Sequence, residues 1–248
     1  MINNIILIAS NELRRFFKSP LAWIILALVQ FLVAIFFYVP LITYLQPASV
    51  ASGLTDAVVS TMYGFAAYII LMISPLITMR LIAEERQLGT IKLLFSSPIS
   101  ITEIVLGKFF GITIFYILIL MLITLMPASL LFGTHLDLGQ VASAFIGLLL
   151  LMTSIASIGL FLSSLTNSPV IAAISTFGVL FFLLIIKIGG TNSSLETAEI
   201  FSYLSLVSHY NNFLSGLFNS IDFFYYILLT IFFIILCIWR LDTERIYG

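Results

Sequence analysis

The polar groups that could do chemistry in this chain are concentrated in one interval, Arg80 to Lys108, RLIAEERQLGTIKLLFSSPISITEIVLGK. It holds four of the ten basic residues and three of the eleven acidic ones. Glu84, Glu85 and Arg86 come first, then Gly89 and Thr90, and then Leu93, Leu94, Ser97 and Pro98. Catalysis fits this pattern poorly. Hydrolytic and metal sites need several His, Asp, Glu or Ser side chains brought together at helical spacing. His135 and His209 are the only histidines, lie far apart, and read as loop or interface residues. An embedded enzyme would need His209 or Asp222 to meet further polar groups at one depth. No phosphate-cradling glycine loop of the P-loop type is present, so no nucleotide is expected to bind here in that way. Recognition fits better. The amphipathic run Ile91-Lys92-Leu93-Leu94-Phe95 can lie in a partner's groove while the charges ahead of it set the register. On a plainer reading those charges only fix topology and the apolar residues rest on lipid.

The elements that carry this interval follow from composition. The chain of 248 residues is 61% hydrophobic and 8% charged, with a mean hydropathy of +1.21. So little polar surface could not cover a soluble domain, so the bilayer is the solvent. The net charge of -1 gives no pull toward nucleic acid. Cys237 is the single cysteine and reads as a small core- or lipid-facing residue without a disulfide.

An all-α polytopic membrane protein in a single transmembrane domain is expected. Residues 1–19 repeat apolar groups at Ile2, Ile5, Ile6, Ala9, Leu13, Phe16 and Phe17, with Glu12, Arg14, Arg15 and Lys18 mostly off that stripe. That is the pattern of an amphipathic helix lying in the membrane interface. The first apolar run reads as a retained span and not a removed signal peptide. Six spans of about 20 apolar residues follow, at 21–44, 61–81, 104–132, 138–162, 169–188 and 223–239. Gly89 should end the helix leaving the second span, and Thr90 should cap a short helix to Phe95. Ser100 with Glu103, Asp137 with Gln140, and Asp222 are the caps expected for later spans. Residues 189–222 are semi-polar yet rich in aromatic groups, as two short helices dipping partly into the membrane would be.

Nine of the ten basic residues fall on one side of this topology, and only Lys187 lies toward the other. The positive-inside rule therefore puts both termini and the 82–103 connector in the cytoplasm. With Arg80 and Lys108 counted in the connector, the spans carry no charged residue beyond Lys187, which argues against ion-coupled transport. If the protein moves something, the energy comes from elsewhere.

The connector RLIAEERQLGTIKLLFSSPISITEIVLGKFFG resembles the second-to-third helix region of permease subunits of ABC exporters of the second type, with their E-E-R-x-x-G-T-x-x-x-L-x-x-S-P stretch. NELRRFFKSPLAW is similar to the amphipathic elbow helix of that family, and GLFLSSLTNSPVIAA to its fourth-to-fifth connector. YLSLVSHYNNFLSGLFNSIDFFYY resembles the external segment of the gliding-motility-type branch. The resemblance implies that Thr90 to Ser97 form a coupling helix seated on a separate ATPase subunit, with Glu84, Glu85 and Arg86 at its hinge. ATP and magnesium would be held by that partner, and no cofactor by this chain. Ser163, Ser164, Thr166 and Asn167 would form a second cytoplasmic contact, although Asn167 stands where relatives often carry a base. The resemblance further implies a second permease subunit, identical or related, in a bacterial cytoplasmic membrane. A module that passes force to an extracytoplasmic partner without transport is the alternative, with Thr191 to Ser220 as its working surface.

Overall fold

In lipid a backbone must satisfy its own hydrogen bonds, and apolar runs of this length do so as helices. The computed structural model describes residues 2–45, 53–96, 98–190 and 205–247. Among them every regular element is helical, and six helices are long and apolar enough to cross a membrane.

Helix α1 (Ile2–Lys18) leads into α2 (Pro20–Tyr44) through Ser19, whose extended backbone (φ -84°, ψ 129°) precedes a proline at the first helical position. Proline is tolerated there because that amide has no intrahelical acceptor anyway. A π-helical turn, Thr55–Ser60, runs directly into α3 (Thr61–Thr78). After α3 the chain makes a turn over residues 79–82 instead of running on as helix toward Gly89, and two short helices follow, α4 (Ala83–Gln87) and α5 (Ile91–Ser96). Gly89, at φ 72°, makes the left-handed turn between them.

Helix α6 (Ile101–Leu130) opens with a full capping box. Glu103 N–H donates to Ser100 Oγ at 3.3 Å, and Ser100 N–H donates to the Glu103 carboxylate at 3.0 Å. Helix α7 (Leu138–Leu165) is capped by Asp137, which accepts from the amides of Gly139 and Gln140. Then come α8 (Pro169–Gly190), α9 (Leu206–Leu214) and α10 (Ser220–Tyr247).

Helix α7 is the axis of the bundle, touching α3, α6, α8, α9 and α10. Small residues permit this. A side chain at Gly147 would collide with Phe213 of α9, and one at Gly159 with Thr78 at the end of α3. Where lipid offers no hydrophobic drive between helices, close approach at small residues supplies the association. Hydrogen bonds between helices add to this, as where Tyr116 O–H donates to Ser74 Oγ at 2.9 Å. By contrast α2, α8 and α10 keep much of their surface outward, with Phe31, Ile174, Phe182, Phe224 and Phe232 exposed.

Of the two short helices expected within 189–222, one is α9, buried against α7, and residues 191–204 lie outside the described residues. One expectation changes here. Asp222 does not cap the last span. Asn219 Oδ1 accepts the Ile221 amide at 3.2 Å, and the Asp222 carboxylate is used elsewhere.

Candidate functional site

The polar end of the bundle is built where α1 lies against α6. Gly107 and Gly111 are four residues apart on α6, and a Cβ on either would fall 2.7 Å from Ile8 or 2.8 Å from Glu12. That spacing puts both glycines on one face and lets α1 sink onto it. Glu12 therefore lies on the packed face of α1 and is buried along with Ala9. Helical periodicity alone sets Glu12 outside that face and counts Ile2 and Ile6 in the stripe, both of which are exposed.

Lys108, next to Gly107, has the Glu12 carboxylate at 3.3 Å and that of Glu85, on α4, at 2.7 Å. It is 2% exposed, one helical turn and more inside α6, so the third span does carry an ionisable group. Arg15 closes the cluster. Its guanidinium pairs with Glu84 at 2.6 Å and stands 3.6 Å from Glu85 and 3.8 Å from Glu12. Three carboxylates and two cations thus tie α1, α4 and α6 together. A buried charge is costly unless paired and hydrogen-bonded, and this arrangement meets that condition for Lys108.

Two further fastenings hold the root of the connector. Arg86 forms an ion pair with Glu244 near the end of α10. Ser163, at the end of α7, accepts the amides of Ile82 and Ala83 at 3.1 and 3.0 Å and donates to the Met79 carbonyl at 3.1 Å. One hydroxyl therefore satisfies the break between α3 and α4, where helical partners are missing.

Beyond the root the chain turns outward. Thr90 Oγ1 donates back to the Glu85 carbonyl at 3.2 Å, and its own carbonyl accepts the Leu94 amide at the start of α5. Gly89, Thr90 and Pro98 are exposed. Leu88 and Leu93 are 67% and 72% exposed, whereas Leu94 and Phe95 pack partly against the core. Of the residues proposed from sequence, Glu84, Glu85 and Arg86 are therefore brought together as an inward-facing root, and Leu93 lies on the open face. Leu94 belongs to the inner one, and Ser97 lies outside the described residues.

The second proposed contact divides. Ser163 and Ser164 are buried with their hydroxyls turned to backbone carbonyls inside the bundle, so they are not partner surface in this conformation. Asn167 is exposed and Thr166 half-buried. Glu12, Arg15, Lys108 and Glu244 complete the site and were not singled out from sequence. The Gly107-x-x-x-Gly111 spacing around Lys108 was the available signal.

At the opposite end His209 is not a loop residue. It lies buried on α9, with its Nδ1 2.5 Å from Asp222 Oδ1, while Asn212 Nδ2 donates to Asp222 Oδ2 at 2.8 Å. The His209 ring stacks on Tyr225, with centroids 4.0 Å apart. Two side chains of α9 thus hold one carboxylate of α10, which fastens these helices together. His209 and Asp222 do meet polar company at one depth, the condition set for an enzyme. A base and its orienting carboxylate still need a nucleophile or a metal before they can do chemistry.

Fold and site together define a polytopic membrane protein whose charged end is organised around a helical connector. The family model for ABC-2 family transporter proteins matches residues 6–245. The chain belongs to that family, and so is a membrane permease subunit of an ABC transporter, a class that works with an ATPase subunit. A comparison with curated proteins finds no match.

Proposed function

We propose that this permease subunit takes its power stroke through residues 83–98 and works as an exporter. The observation that carries the reading is the opposition between root and tip. Glu84, Glu85 and Arg86 are paired into α1, α6 and α10, while Leu88 and Leu93 are largely exposed. A partner that grips the tip displaces the root, and the root moves three helices at once. The ATPase is a separate chain carrying ATP and magnesium, and it seats the tip in a groove with both termini of the permease on its side of the membrane. The outward faces of α2, α8 and α10 suit lipid and a second permease subunit, identical or related. The 203–226 segment favours the gliding-motility-type branch.

Co-purification with the ATPase tests this. Leu88→Asp with Leu93→Asp is the right variant, because both side chains are exposed and neither holds the fold. Glu85→Lys would instead put a second cation beside buried Lys108. The expected outcome is loss of the ATPase by about tenfold or more, the scale of a hot-spot contact, with an unchanged melting temperature. Full retention of the ATPase by the folded variant means that the docking surface lies elsewhere.

A further inference from the structure

At the connector end of the bundle a cavity of about 250 Å³ opens between α1, the start of α2 and the end of α3. Its lining joins two kinds of surface. Arg15, Lys18 and Arg80 are cationic, while Leu21, Ile25 and Leu76 are apolar.

The charges around it do not cancel. Glu12 and Glu84 also line the cavity, but Glu12 is engaged by Lys108 and Glu84 by Arg15. Lys18 and Arg80 have no ion-pair partner among the described residues. Counting Glu85 and Lys108 next door, four cations face three carboxylates, and the surplus positive charge falls on the two cations left free. A cavity that leaves cations over attracts an anion.

Its depth says which anion. Trp23, one residue past the lining residue Ala22, is 58% exposed and donates from Nε1 to the Phe17 carbonyl at 3.0 Å. An exposed indole with its N–H occupied by the turn before a span is the pattern of a side chain at headgroup level. The apolar side of the cavity continues onto outward surface, since Ile24, Leu28 and Leu76 are exposed. A free phosphate or a nucleotide phosphate would use the cations and leave the apolar wall formed by Leu21 and Leu76 without a partner. A lipid uses both.

We propose that this cavity binds an anionic phospholipid of the adjoining leaflet, with its phosphate on Lys18 and Arg80 and its first acyl segments against Leu21, Ile25 and Leu76. The lipid bridges α1 to the end of α3, so it fastens α1 to the helix from which the connector emerges. The site stands independently of where the ATPase docks.

Trp23 supplies the readout, because the chain has two tryptophans and Trp239→Phe leaves it alone. The full chain carrying that change is reconstituted in phosphatidylcholine vesicles doped with either brominated phosphatidylcholine or brominated phosphatidylglycerol, and quenching is titrated against mole fraction. The brominated phosphatidylglycerol should quench at about fivefold lower mole fraction, the scale of one basic side chain acting on an anionic lipid. Lys18→Gln with Arg80→Gln should abolish that preference, and millimolar inorganic phosphate should leave it intact. Equal quenching by both lipids in the parent overturns the proposal, as does a preference that survives the double variant. Removal of the preference by inorganic phosphate makes this a free-anion site and overturns the lipid assignment.

Discussion

Lys108 is the residue on which the polar end turns. It is buried between Glu12 and Glu85, so removing its charge leaves two largely buried carboxylates with only Arg15 nearby. Lys108→Met should therefore lower stability by about 3 kcal/mol, the lower end of what breaking a buried pair costs. Adding Glu85→Gln should recover part of that loss, because the two residues share one interaction and cannot be additive. Thermal unfolding in detergent measures both, and a purely additive double variant would show that the pair is not coupled. Along the chain only the Gly107 and Gly111 spacing hints at a close contact, and it names no partner. Glu12 and Lys108 are separated by 96 positions, and a lysine at the foot of a span reads as an anchor for topology. Buried pairing depends on which helix packs against Gly107 and Gly111, and their spacing does not say which. His209 was misplaced for the same reason: its partner Asp222 looked like a helix cap, since Asp near a helix start usually is one.

At the scale of elements, what the sequence announced was what neighbours in the chain decide. Ser100 and Glu103 form the capping box that their spacing promised, and Asp137 caps α7, because a cap needs only its own first turn. The break after Thr78 was not announced. It is stabilised by Ser163 from α7, about 80 positions away, so the local pattern reads as continuous helix up to Gly89. The packing of α1 on α6 tests this level directly. Gly111→Leu would drive a branched side chain into Glu12 and the Ala9 carbonyl, and overpacking of this kind costs about 1–3 kcal/mol. The helix α1 should lift from α6 and carry Glu12 away from Lys108. A cysteine pair placed across the two helices should then crosslink poorly, whereas Gly178→Leu, where an added side chain meets open space, should leave crosslinking unchanged. Equal crosslinking in both variants would mean that the glycines do not set this contact.

For the whole molecule, the bilayer's fixed thickness made the six long helices legible, since about 20 apolar residues are needed to cross it. Their arrangement around α7 was not, because all spans look alike in composition and only the small residues of α7 mark it as central. Orientation is the property on which the function hangs, and it rests on charge. Arg15, Lys18, Arg80, Arg86 and Lys108 gather around the connector, while the turn between α6 and α7 carries His135 and Asp137 and no lysine or arginine. Positively charged residues stay on the cytoplasmic side, so α5 should face the cytoplasm and His135 the outside. The single cysteine makes the test clean: Cys237 is buried in the bundle, and Cys237→Ala removes it altogether. In that background His135→Cys and Leu93→Cys each place one exposed thiol at an opposite end. A membrane-impermeant maleimide added to intact cells should label the first and reach the second only after permeabilisation. The reverse pattern would put α5 outside, out of reach of any ATPase, and the coupling proposal would fall with the topology.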